Sequence, residues 1–236
     1  MGANLNGSED TAELFEFYDR WINRFALRDI APLCSEEEHL LRREFSACIR
    51  RHHDANSTSA AAWGWKEPRS IYLLPLFLSI WPEMKFIHVV RDGRDMALSS
   101  NQNQPRKHGA AVLRESANVS PEVRAARLWA QVNLDAADFC REHLQGRYLL
   151  VRFEDVCSEP LRWSAAIAGF LGVARPDLDA CAAEISPPQS IGRWRSGELS
   201  TLSLITDAVR QALTAFGYES DGDGNPAAPN AIHHAK

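Results

Sequence analysis

Arg91 stands at the end of an apolar run in KFIHVVRDGRDMALSS, residues 85–100, where two arginines and two aspartates surround a glycine. A strand that delivers a guanidinium to its own end can bind an anion, because the planar fork makes paired, charge-assisted hydrogen bonds to phosphate. A helix opening just beyond would add partly positive N–H groups, and Ser99 lies eight residues on, in the expected helix. The alternative is a solvated strand end with surface ion pairs. Lys66 poses the same choice in WGWKEPRS, where strand period puts Gly64 and Lys66 on one face and Trp63 and Trp65 on the other. Arg193 and Arg195, in SIGRWRSGEL, are two apart and share a side if that stretch is extended. Each motif alone is weak. Together, on an acidic chain, they point to an anionic nucleotide.

The acidity matters because it removes broader explanations. The chain has 236 residues, a formal net charge of −5, 45% hydrophobic and 24% charged residues. That composition fits a globular protein with a sizeable core, and the charge argues against general nucleic-acid binding. Five scattered cysteines (Cys34, Cys48, Cys140, Cys157, Cys181) form no C-x-x-C and no metal-finger spacing, which reads as reduced thiols in a cytoplasm. His52–His53 reads as a solvated pair. The longest apolar run, IYLLPLFLSIW, is too short to span a bilayer and contains Pro75, so no membrane is expected. No signal peptide is recognised, and Asn6 stands where N-myristoylation wants Ser or Thr.

The elements that must position the basic residues follow from periodicity. DTAELFEFYDRWINRF puts Leu14, Tyr18, Trp21, Ile22 and Phe25 on one helical face, with Asp10 and Glu13 as a capping box. SEEEHLLRREFSACIRRHH repeats the pattern with Leu41, Phe45, Cys48 and Ile49, capped by Ser35 and Glu38. WGWK is expected as a short strand, RSIYLLPLFLSIW as a buried helix from about Ser70, and KFIHVV as a second strand, giving a βαβ unit. A long helix capped by Ser120, with Pro121 at its first position, precedes a third strand, RYLLVRF. Later helices are expected in PLRWSAAIAGFLG, PDLDACAAEI and LSLITDAVRQALTAFG. The reading is an α/β fold: three layers, a mainly parallel sheet flanked by helices, in a single domain over 1–218 with a disordered tail over 219–236. Ligands in such sheets bind outside the carboxyl ends of the strands, where Lys66 and Arg91 are expected. His88 falls mid-strand and reads as a core histidine.

WGWKEPRSIYLLPLF, FIHVVRDGRDMALSS, YLLVRFEDV and IGRWRSGEL, in that order, resemble the sulfotransferases that use 3′-phosphoadenosine 5′-phosphosulfate (PAPS), over roughly Trp63 to Leu199. GANLNGSED also resembles a segment that follows the first helix in some bacterial members. The resemblance implies a P-loop NTPase-like architecture. It implies that Arg91 and Ser99 hold the donor's 3′-phosphate, that Arg193 and Arg195 close over the same phosphate, and that Lys66 lies near the transferred group. Phe153 takes a cofactor-contact position where many members have tyrosine, so a hydroxyl near the adenine is missing.

Members open with a strand and a glycine-containing phosphate loop of the type PRSGT, and nothing in MGANLNGSED supplies one. The expectation is that the first strand and loop are absent and that this chain alone transfers no sulfate above background. For an intact member the implied reaction is in-line sulfuryl transfer to a hydroxyl or amine of a small-molecule or glycan acceptor. Lys66 would stabilise the leaving oxygen, and Glu67 would be the base, with Glu9 or Asp10 behind it. Two other readings stay open: another nucleotide-dependent group transferase, against which the lack of a G-x-x-x-x-G-K-[ST] motif counts, and a non-catalytic remnant kept as a binding module. Acceptor identity and oligomeric state are not legible.

Overall fold

The computed structural model describes residues 9–22, 35–56, 63–114, 119–196 and 204–218. The MGANLN stretch, Cys34, Phe25 and the tail from 219 lie outside these residues, as do the side chains of Asp10, Glu13, Leu14, Glu38, His52 and His53. The chain divides into two compact units, Met1–Pro82 and Glu83–Lys236.

In the first unit, α1 (Glu9–Ile22) packs on α2 (Ser35–Asn56). The stripes read from periodicity are the ones buried: Tyr18, Trp21 and Ile22 from α1, and Leu41, Phe45, Cys48 and Ile49 from α2. A 3₁₀ turn (Pro68–Leu73) and α3 (Leu74–Ile80) add Tyr72, Leu73, Leu74 and Phe77, and the Phe45 and Phe77 rings stack 4.6 Å apart. Pro68 begins the turn where its missing N–H costs nothing. WGWK is not a strand, and this corrects the expected βαβ unit. Residues 63–67 run irregularly because Trp65 finds its partners in the aromatic cluster, with Phe77 and Trp81 each at 5.6 Å, and not in a neighbouring strand.

The second unit holds the sheet. β1 (Phe86–Val90) and β2 (Tyr148–Arg152) pair in parallel, with His88 opposite Leu150 and Val90 opposite Arg152. They are the two strands among the described residues, where three were expected. The chain between them forms α4 (Gly93–Ala97), α5 (Asn103–Leu113) and α6 (Pro121–His143). α6 begins as expected: Ser120 Oγ accepts from the Val123 N–H at 3.3 Å and Pro121 follows. Beyond β2 come α7 (Phe153–Ser158), α8 (Pro160–Leu171), α9 (Leu178–Ala183) and α10 (Asp207–Ala215).

Strand alternation sends the two faces of the sheet to two helical layers. Val90 and Leu150 pack with Ala126, Trp129, Ala130, Leu213 and Phe216 of the α6 and α10 side. Ile87, Leu149 and Val151 pack with Trp163, Ile167 and Phe170 of α8. The result is an α/β fold with helices on both faces of a small parallel sheet. His88 is a core residue, 2% exposed. Its Nε2 lies 2.8 Å from Asn133 Oδ1 and its Nδ1 lies 3.0 Å from the Tyr148 hydroxyl. Asn133 gives its amide N–H to the Trp129 carbonyl, so its oxygen faces the ring and His88 carries its proton on Nε2. Burial outweighs the Asn133 hydrogen bond and lowers the His88 pKa to about 4.

α5 was not read from the sequence. NQPRKHGAAVL has few apolar residues, and it is helical by packing His108, Gly109 and Val112 inward, against α6.

Candidate functional site

The carboxyl end of β1 is tightly held. Asp92 accepts from the Arg94 N–H at 2.9 Å as the cap of α4, and its carboxylate also takes the Arg94 guanidinium at 2.8 Å. Glu154, just past the end of β2, accepts from the Asp92 N–H at 3.0 Å and from the Tyr218 hydroxyl at 2.7 Å. Tyr218 Oη also lies 3.1 Å from the Val90 carbonyl. Burial first, then the Glu154 charge, raises the Tyr218 pKa, so it remains a neutral donor. Gly93 lies against Trp129: a Cβ there would sit 2.2 Å from the indole ring. Trp129 Nε1 donates to the Arg91 carbonyl at 3.0 Å. The glycine in RDGRD is therefore a close-approach residue that lets α4 lie on α6.

From this base Arg91 projects its side chain. Nη2 donates to Ser190 Oγ at 2.9 Å and lies 3.8 Å from Asp95 Oδ2. The guanidinium sits 5.3 Å over the Phe153 ring. Arg91 Nε is buried and has no hydrogen-bond partner among the described residues.

The late basic segment comes to the same place. Arg193 Nε donates to the Ser190 carbonyl and its Nη1 to the Leu98 carbonyl, both at 3.3 Å. Asp95 Oδ2 accepts from the Gly192 N–H at 2.7 Å, and Oδ1 from the Trp194 N–H at 3.1 Å. Trp194 carries the Arg94 guanidinium 3.5 Å from its ring centre and that of Arg195 at 4.6 Å. The segment is not extended. Arg193–Ser196 is a 3₁₀ turn, so Arg193 and Arg195 part company: Arg193 faces Leu98 and Ser190, while Arg195 lies exposed on Trp194.

Ser99 is also displaced from its expected element. α4 ends at Ala97, and Ser99 sits in the turn after it, its Oγ accepting from the Asn101 N–H at 3.2 Å. It remains next to Leu98, the residue Arg193 contacts. Phe153 is the first residue of α7, not the last of a strand. The structure thus gathers Arg91, Phe153 and Arg193 beside the Ser99 turn. Asp95, Ser190 and Glu154 belong to the same cluster and were missed. The sequence signal for the turn that brings in Ser190 was Gly192, at φ +74° immediately before Arg193.

Lys66 and Glu67 lie in the first unit. Lys66 is exposed. Glu67 caps the 3₁₀ turn, Oε1 accepting from the Arg69 N–H at 3.1 Å and from Arg69 Nε at 2.9 Å, with Nη2 at 3.4 Å from Oε2. Arg69 also reaches Asp19 at 3.0 Å. On the other side of Lys66, Trp65 Nε1 donates to Ser70 Oγ at 3.0 Å, and the Tyr18 hydroxyl lies 2.7 Å from the same oxygen. Both neighbours of Lys66 are therefore anchored.

Among the described residues no group of His, Cys, Asp and Glu could hold a metal ion, and no helix is long and apolar enough to cross a membrane. The sulfotransferase family model matches residues 4–177. Among solved structures, the chain is similar to the sulfotransferase domain from the curacin biosynthetic pathway, with a TM-score of 0.52 and 14% identity, over 76% of this chain and 68% of that one. No curated protein matches.

Proposed function

Because the chain belongs to the sulfotransferase family, we propose that it moves a sulfuryl group from PAPS to a hydroxyl or amine of a small-molecule or glycan acceptor. The observation that carries this reading is the meeting of Arg91 and Arg193 on Ser190, with Arg193 also on the Leu98 carbonyl beside Ser99. The two arginines, about a hundred residues apart in sequence, contact the same serine, one at its hydroxyl and one at its carbonyl, and a phosphate beside it could take charge-assisted hydrogen bonds from both. The buried Arg91 Nε, without an acceptor among the described residues, fits a further oxygen.

In this reading the donor supplies the sulfuryl group and its own phosphate leaving group. Arg91, Ser99 and Arg193 hold the 3′-phosphate, with exposed Arg195 adding long-range attraction. Phe153 supports the Arg91 guanidinium from below and offers an apolar face near the base. Lys66, an exposed residue of the first unit, is the candidate cation for the leaving oxygen on the strength of the resemblance alone. Glu67 is the candidate base. Taking the acceptor's proton requires its carboxylate, 6% exposed and bound to Arg69 through both oxygens, to leave that ion pair and turn as a whole toward the acceptor.

Calorimetry with adenosine 3′,5′-bisphosphate tests the reading. Arg91→Ala should weaken binding by about 1.5–3 kcal/mol, roughly 10- to 150-fold, the scale of a charge-assisted hydrogen bond. Equal affinity for wild type and variant would remove Arg91 from the site. Sulfate transfer from PAPS to a generic phenol acceptor tests the chemistry directly: transfer above background supports the reading and overturns the expectation that this chain alone is inactive, and no transfer favours the non-catalytic binding module.

A further inference from the structure

Resting on that reading, we propose that Asp95 is the positioning residue that sets the spacing of the phosphate-binding arginines. Its carboxylate is 1% exposed and touches both halves of the cation cluster. Each oxygen takes one backbone N–H of the late basic segment: Oδ2 that of Gly192 at 2.7 Å, Oδ1 that of Trp194 at 3.1 Å. Those two N–H groups flank Arg193. Oδ2 is also 3.8 Å from Arg91 Nη2, one turn back along the chain. One buried carboxylate therefore fixes Arg91 and the backbone around Arg193 to the same point.

The chemistry of the pairing favours an acid here over an amide. Three donors converge on two oxygens, and a carboxylate has acceptors in every direction, whereas an amide turns an N–H₂ toward at least one of them. The turn supplies its own requirement. Gly192 is at φ +74°, a region that side chains rarely adopt, and a Cβ there would lie 3.0 Å from Arg195 Nη1. Without the Asp95 contact, Arg193 loses the fixed backbone that aims its Nη1 at the Leu98 carbonyl beside Ser99. Asp95 acts on the ligand only through these arginines, so its effect should be confined to recognition of the 3′-phosphate.

The readout is a ratio: affinity for adenosine 3′,5′-bisphosphate divided by affinity for adenosine 5′-phosphate, both by calorimetry on the full chain. Wild type should prefer the bisphosphate by roughly tenfold or more, and Asp95→Asn should bring the ratio close to one while changing 5′-phosphate affinity by less than about threefold. A purely structural role would weaken both ligands alike and leave the ratio intact, which overturns the inference. Gly192→Ala strains the same contact from the other side and should lower the ratio in the same direction. It provides the test if Asp95→Asn does not fold. A wild type with no preference for the bisphosphate overturns the sulfotransferase donor-site reading itself, and the inference with it. A wild-type preference that both variants retain overturns only the role of Asp95.

Discussion

Gly93→Ala sets two effects of opposite sign against each other. Gly93 is the first residue of α4 with no left-handed backbone requirement, so alanine should gain about 0.5–1 kcal/mol from reduced unfolded-state entropy. Against this, its Cβ would sit 2.2 and 2.3 Å from two indole carbons of Trp129, where carbon contacts prefer about 3.5–4.0 Å. The ring cannot swing away cheaply, because it is 8% exposed and packs near Phe216 at 6.1 Å and Tyr218 at 6.5 Å. Overpacking of this kind costs about 1–3 kcal/mol. Displacing the ring also breaks the Nε1 bond to the Arg91 carbonyl, a further loss of about 0.5–1.5 kcal/mol. The clash wins, with a net loss of roughly 1–3 kcal/mol and a fall in melting temperature of roughly 2–12 °C. Urea titration and a thermal scan measure it; Trp129→Leu is itself destabilising, but it removes the contact, so the double variant should lose clearly less than the sum of the two single losses. A Gly93→Ala variant as stable as wild type, or a double variant whose losses simply add, would refute the close-approach argument.

His88 and Tyr218 give further tests. Because burial depresses the His88 pKa from 6.5 to about 4, the folded state favours the neutral ring. That contribution is complete above pH 6.5 and is lost as pH falls toward 4, by about 3 kcal/mol in sum. Urea midpoints at pH 7 and pH 4.5 should therefore differ more for wild type than for His88→Phe, and equal slopes would reject the assignment. Tyr218→Phe removes the hydroxyl shared by Glu154 and the Val90 carbonyl and leaves a half-buried carboxylate oxygen short of a donor. A loss of about 1–3 kcal/mol is expected in urea, and a change below about 0.5 kcal/mol would show that water replaces the bond.

Helices α1, α2 and α6, both strands and the buried His88 were legible in the chain because each rests on local signals: apolar period, a cap, a short run of β-formers. Family membership was legible too: FIHVVRDGRDMALSS lies within the matched residues 4–177, whereas IGRWRSGEL lies beyond them. What the sequence could not decide was pairing. WGWK has the period of a strand, but a strand exists only where a neighbour completes its hydrogen bonds, and Trp65 instead joins the rings of Phe45, Phe77 and Trp81. α5 lacks a strong apolar face and is helical through its contact with α6. The cation cluster divides the same way. Arg91 and Arg193 could be nominated by type, yet their meeting on Ser190, and the buried Asp95 that takes N–H groups 97 and 99 residues away, depend on how the 190–196 turn docks onto α4. Period and caps act over one or two turns of chain. Contacts across a hundred residues come from packing, so only the tertiary structure could show which arginines share a carboxylate.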